Sequence, residues 1–340
     1  MTIDNLEKEL KSGKLNSIYI LYGEELFLLE NCLKKIKLLF GECVKGINYI
    51  LIDEQNISEI IDDIETPSFG YEKKLIIAKN TGLLKKEGKK KNSDLYKIKE
   101  KLTKYINENK KIIDESVVLV FTEEEADEKS ELFKTIDKNG ITCKFEYQKP
   151  AQIEKRIKDI CNAYKVNIDG QTLRYFIECC GTNMQDLINE IRKLIEYAGE
   201  NGTIGKEDIE KLSIKKIESV IFDLTDNLGK KDITSALEIL HNLIYEKEPL
   251  AKILVTLYNH FKKLYITKMS IKENKELTTS LNLKPNQMFL TTKYKTQSKY
   301  FKENELRSIL QELCDLDYNF KNGKIDLQVG IETVLCRYCS

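Results

Sequence analysis

Residues 17–30, SIYILYGEELFLLE, run from an apolar strand through a glycine into a helical pattern. That is where an α/β protein places a phosphate-binding loop, because backbone N–H groups at a helix start attract anions. Productive chemistry there needs G-x-x-x-x-G-K-[ST], with the lysine on the phosphates and the hydroxyl on Mg²⁺. Counted from Gly23, the second glycine falls on Leu28, the lysine on Leu29 and the hydroxyl residue on Glu30. Two leucines offer phosphate nothing, and Glu30 repels it. The nearest lysines, Lys34 and Lys35, lie too far along the helix. The expectation is a nucleotide-binding scaffold without the equipment for hydrolysis.

Mg²⁺ would also need an aspartate at the end of a central strand. The candidate strand, residues 116–121 (SVVLVF), is followed by Thr122. Glu123, Glu124 and Glu125 come next and could be argued into the role, but a solvated acidic turn is the simpler reading. The five arginines are Arg156, Arg174, Arg192, Arg307 and Arg337, so the N-terminal part has none to stabilise a transferring phosphate. No Gly-x-Ser-x-Gly elbow, HExxH helix or EF-hand loop occurs. His241 and His260, the only histidines, both fall in the helical last third and read as surface or packing residues. Cys336 and Cys339 have C-x-x-C spacing, but zinc needs two more ligands, and two residues of a terminal helix is the plainer interpretation. No catalytic residue, metal or cofactor is expected.

Three short polar segments offer recognition rather than catalysis. In residues 66–71, TPSFGY, Pro67 stops the preceding helix and Gly70 permits a tight turn, which would present Phe69 and Tyr71 at a surface tip. The alternative is that Phe69 folds back onto the sheet as core. Lys321 and Lys324 flank Asn322-Gly323, a turn between two helices from which a side chain can reach a phosphate or simply meet water. The basic run at 85–91, KKEGKKK, carries the same two readings.

These residues need a scaffold, and its outline is legible. Apolar runs at 18–22, 48–52, 74–78, 116–121 and 142–146 alternate with helical patterns, which argues a parallel sheet covered on both faces. After Pro150 almost nothing resembles a strand: four helices occupy 151–212, and longer ones follow from about 219. The organisation is thus an α/β domain (1–148), a small helical domain (149–212) and a larger helical bundle (213–340). Leu237, Leu240, Leu243 and Ile244, with Leu254, Leu257, Tyr258 and Phe261, mark amphipathic helices in the last third, which is the expected oligomerisation element.

Composition narrows the class. At 340 residues, 41% hydrophobic and with zero net charge, the chain can bury real cores but presents no overall basic body to nucleic acid. Nine cysteines without framework spacing suggest a reducing compartment, and no apolar run approaches the roughly 18 residues of a membrane span. A cytoplasmic protein with no membrane contact is expected.

Three stretches together resemble the delta-subunit family of the bacterial DNA polymerase III clamp loader. They are Leu21-Tyr22-Gly23-Glu24-Glu25, then Glu65-Thr66-Pro67-Ser68-Phe69 leading into Lys73-Lys74-Leu75-Ile76-Ile77, and Asp317-Tyr318-Asn319-Phe320-Lys321-Asn322-Gly323-Lys324 ahead of Glu332. Ile221-Phe222-Asp223-Leu224 and residues 254–268 fit the same pattern. The resemblance implies an AAA+-like module, a lid and a collar, in a replication protein that keeps this fold without productive ATP binding. It implies that the chain grips and opens the sliding clamp, beside ATPase subunits and delta-prime, so that the clamp is loaded on primed DNA. The isolated chain would have no ATPase activity, although it belongs to a DNA-directed DNA polymerase holoenzyme, a nucleotidyltransferase. In ATP-binding relatives the lid carries a Gly-Ser-x-Arg-Asp motif; the similar stretch here is Gly181-Thr182-Asn183-Met184-Gln185-Asp186, with glutamine beside the aspartate. The clamp-binding segment would be Pro67, Ser68, Phe69, Gly70 and Tyr71. The family places an apolar pair there, and Ser68 stands at its first position, which leaves the register open. The rival readings are an active AAA+ ATPase and a delta-prime-like adapter of the same complex.

Overall fold

Strands form where apolar residues run almost without interruption. The computed structural model describes residues 1–86 and 93–339 and divides the chain into two compact units, Met1–Tyr147 and Gln148–Ser340. In the first unit the order is α1 (Ile3–Lys11), β1 (Ile18–Tyr22), α2 (Leu26–Phe40), β2 (Tyr49–Ile52), a 3₁₀ turn running into α3 (Ile60–Glu65), β3 (Lys74–Lys79), α4 (Ser93–Glu108), α5 (Lys110–Ser116), β4 (Val117–Glu123), α6 (Glu131–Asn139) and β5 (Ile141–Lys144).

The five strands make one parallel sheet in the order β2-β3-β4-β1-β5. Every residue of β1 and β4 is buried, as expected for central parallel strands covered on both faces. Ile18, Ile20 and Phe121 pack with Leu102 and Ile136 on one face, while Tyr19 and Leu21, which alternate with them, are buried too. The parallel α/β class expected for this part is what the chain forms. Some boundaries differ from expectation, β5 among them, which spans Ile141–Lys144 and stops short of residue 146. Ser116 closes α5, a short helix that the polar run at 108–116 did not announce. Strand β4 therefore starts at Val117, and it continues through Thr122 and Glu123.

The second unit is helical apart from two two-residue strands. It comprises α7 (Pro150–Ala163), β6 (Asn167–Ile168), α8 (Gly170–Cys180), α9 (Met184–Ala198), β7 (Thr203–Ile204), α10 (Lys206–Leu212), α11 (Ile217–Gly229), α12 (Ile233–Tyr245), α13 (Leu250–Lys272), α14 (Leu277–Ser280), α15 (Leu290–Gln297), α16 (Glu303–Lys321) and α17 (Leu327–Cys339). Asp169, Asn183 and Asp232 cap α8, α9 and α12 by accepting backbone N–H bonds, which sets where those helices begin. The parallel pair β6–β7 is an addition to the all-helical expectation, too short to leave a periodic signal. Ile221, Leu224, Leu240, Leu257, Phe261 and Ile331 form one core around α13, the longest helix among the described residues. No helix among the described residues is long and apolar enough to cross a membrane.

Candidate functional site

At the phosphate-loop position the chain has packed the site shut. Gly23 ends β1 at φ +134°, and a Cβ added there would lie 2.3 Å from the Phe145 carbonyl oxygen, so only glycine fits. Its N–H donates to Glu123 O at 3.1 Å, and Glu25 N–H donates to Phe145 O at 2.9 Å. Leu28 and Leu29, where the glycine and lysine would stand, are core residues at 2% and 3% exposure. The Glu30 carboxylate pairs with Lys79 Nζ at 2.7 Å. What occupies the phosphate positions is hydrocarbon and a carboxylate already engaged by a cation.

The metal position is equally altered. Thr122 is buried, and its hydroxyl has no partner in the protein. Glu123 corrects an expectation: it lies at the buried end of β4 rather than in a solvated turn. Thr81 donates to its Oε1 twice, from N–H at 2.8 Å and from Oγ1 at 2.9 Å. Burial pushes the Glu123 carboxyl above the ordinary carboxylate range, against the opposing pull of the Thr81 donors. Glu124 and Glu125 are exposed, as an acidic turn should be. The partner that takes Glu123 inward lies 42 residues upstream, and no local pattern links the two.

In the second unit the side chains of residues 183–186 are also committed locally. Asn183 caps α9, Gln185 Nε2 donates to Asn189 Oδ1 at 3.0 Å, and Asp186 pairs with Lys216 at 2.7 Å.

The segment 66–73 is built the other way round. Helix α3 stops at Thr66, whose N–H and hydroxyl both donate to Asp62 O. Pro67 then prevents continuation. Tyr71 N–H donates to Ser68 O at 3.0 Å, which closes a four-residue turn with Phe69 and Gly70 at its centre. Gly70 sits at φ +82°, the conformation a type II turn demands of its third residue. The Ser68 hydroxyl donates to Tyr71 O at 2.8 Å. Ser68 thus braces the turn, which gives its polar side chain a structural role there. Phe69 is 79% exposed, so it does not fold back as core, whereas Tyr71 is half-buried.

Lys321 and Lys324 lie at the turn between α16 and α17. Lys321 pairs with Asp317 on its own helix at 2.7 Å, and Lys324 Nζ sits 5.8 Å from the Tyr318 ring centroid. Tyr318, Phe320 and Ile325 are exposed beside them. His241 pairs with Glu332, while His260 is buried and hydrogen-bonded to Gln297. Cys336 is exposed. Of the basic run at 85–91, only Lys85 and Lys86 are among the described residues, and the Cys339 side chain is outside them.

Two family matches cover most of the chain: "DNA polymerase III, delta subunit" over residues 19–146 and "DNA polymerase III delta subunit, C-terminal domain" over residues 218–338. The chain belongs to the delta-subunit family of the DNA polymerase III clamp loader. Among curated relatives, DNA polymerase III subunit delta of Bacillus subtilis is 26% identical over 334 residues, covering 96% of this chain and 94% of the relative. The probable delta subunit of Aquifex aeolicus is 28% identical over 312 residues, covering 88% and 85%. A solved structure of the clamp loader delta protein of Bacillus subtilis superposes with a TM-score of 0.77 at 24% identity, covering 99% of each chain, which establishes a shared fold.

Proposed function

We propose that this delta-family chain binds the sliding clamp through the Phe69 turn and opens one clamp interface, so that ATPase partner subunits can load the ring on primed DNA. The observation that carries the reading is Phe69, 79% exposed on a turn closed by two hydrogen bonds between Ser68 and Tyr71. A large aromatic held in water on an ordered turn is suited to fill a pocket on a partner, and little entropy is lost when it docks. Pro67, Ser68, Gly70 and Tyr71 shape the turn around it. In this reading ATP is bound by the ATPase partner subunits, with delta-prime as a further partner, since Leu28, Leu29 and Glu30 leave no phosphate cradle here. Residues 149–212 serve as a lid and 213–340 as a collar that joins neighbouring subunits, with Lys321 and Lys324 facing DNA phosphates.

The test is Phe69→Ala, with clamp affinity and thermal stability measured on the same protein. A pocket-filling aromatic typically carries about 2 kcal/mol, so affinity should fall roughly thirtyfold. Stability should stay unchanged, because Phe69 buries little in the free chain. Preserved affinity would refute the assignment.

A further inference from the structure

The Phe69 turn has a base as well as a tip, and one residue fastens it. Lys74 is the first residue of β3, paired in the sheet opposite Val117, and is only 3% exposed despite its charge. A buried ammonium is retained only where acceptors replace its water. Here Lys74 Nζ donates to Asp63 O at 2.8 Å and to Thr66 O at 2.6 Å. Asp63 lies in the last turn of α3 and Thr66 caps it, and helix ends leave such carbonyls without backbone partners. The loop therefore leaves α3 at a carbonyl held by Lys74 and returns to the sheet at Lys74 itself. Lys73 Nζ, next door, donates to Asp114 O at 2.6 Å and fastens the returning strand from the α5 side. Between these ties only the Ser68–Tyr71 turn projects.

We propose that Lys74 is a positioning residue for clamp recognition: its ammonium locks the base of the 66–73 loop, so that Phe69 meets the clamp pre-ordered. This rests on Phe69 being the clamp contact. Without the tie, the loop must be ordered during docking, and that cost is taken from affinity.

The experiment measures clamp affinity and melting temperature for Phe69→Ala, Lys74→Met, the double variant and Lys74→Arg. Methionine keeps the length and apolar stem of lysine but cannot donate. Lys74→Met is expected to weaken clamp binding about tenfold. The double variant should bind no more weakly than Phe69→Ala alone, and Lys74→Arg should recover most of the loss. A residue that merely supports the fold would lower the melting temperature and add its effect to that of Phe69→Ala; additivity would overturn the proposal. If Phe69→Ala leaves affinity intact, the clamp assignment itself fails. If Phe69→Ala weakens binding and Lys74→Met does not, only the role of Lys74 falls. Should Lys74→Met not fold, amide exchange on the unaltered chain decides. The Tyr71 amide must then exchange at least about tenfold more slowly than in an unstructured peptide, and exchange at the unstructured rate would overturn the proposal.

Discussion

Residues 23–30 and residues 66–73 lie in the same α/β unit, and they treat apolar side chains in opposite ways. At the first, leucines fill the positions where a nucleotide-binding protein keeps glycine and lysine, and the remaining carboxylate is neutralised by Lys79. At the second, a phenylalanine is held in water on a turn braced by Ser68 and Gly70. Burial of Leu28 and Leu29 is its own explanation, since apolar side chains leave water spontaneously. Exposure of Phe69 is not, because the turn forgoes that gain. The contrast separates a site whose apolar side chains have been absorbed into the core from one whose aromatic side chain is held in water.

Restoring the missing lysine is the harshest test of the first half of the contrast. Leu29→Lys places an ammonium where a core leucine packs. Stability should fall by about 3–5 kcal/mol, measured by denaturant unfolding, and calorimetry should detect no Mg-ATP binding. Tight Mg-ATP binding by that variant would mean the site is idle rather than closed.

A second inward-facing group gives a pH signature. Burial holds His260 down to about 4 from its ordinary 6.5, with nearby Lys263 acting in the same direction and the bond to Gln297 opposing. Gln297 Nε2 donates to Phe222 O and Asp226 Oδ1, which leaves its carbonyl to accept from the ring. The unfolded chain takes up a proton near pH 6.5 and the folded one only near pH 4, so stability falls as pH drops through that window. The loss approaches about 3 kcal/mol below pH 4. Comparing unfolding of the wild type with His260→Gln across this range should show the extra slope only in the former.

On the outward-facing side, Gly70→Ala sharpens the role of the turn. A Cβ there meets no atom within 4 Å, so the cost is backbone strain at φ +82° alone. About 1 kcal/mol of strain should appear as a roughly fivefold weaker clamp affinity. An unchanged affinity would show that turn geometry is irrelevant to the grip. The smallest effect is expected at the turn between α16 and α17. Lys324→Glu should weaken DNA-dependent clamp loading and make its log–log salt dependence shallower by about 1, while clamp binding stays as it was.

The α/β-then-helical order was legible because strands β1, β3 and β4 are continuous apolar runs and the helices keep their 3.6-residue period. The phosphate-loop substitutions were legible because a fixed spacing exposes each missing group. Glu123 was not, since a run of three glutamates reads as solvated and the Thr81 that buries it is distant in sequence. Helix α5 was hidden by its polar composition, and β6–β7 by their length. At the tip, Pro67 and Gly70 announced a turn, yet the brace from Ser68 to Tyr71 is visible only in three dimensions. The buried state of Lys74 had no signal at all: a lysine at a strand start reads as surface until the carbonyls of Asp63 and Thr66 are seen around it.

The central proposal is clamp recognition in which this chain does not itself use nucleotide. The direct measurement is a titration of the purified chain against its own sliding clamp, with and without Mg-ATP. Binding of equal affinity under both conditions is the predicted result. No binding, or binding that appears only with Mg-ATP, would contradict it.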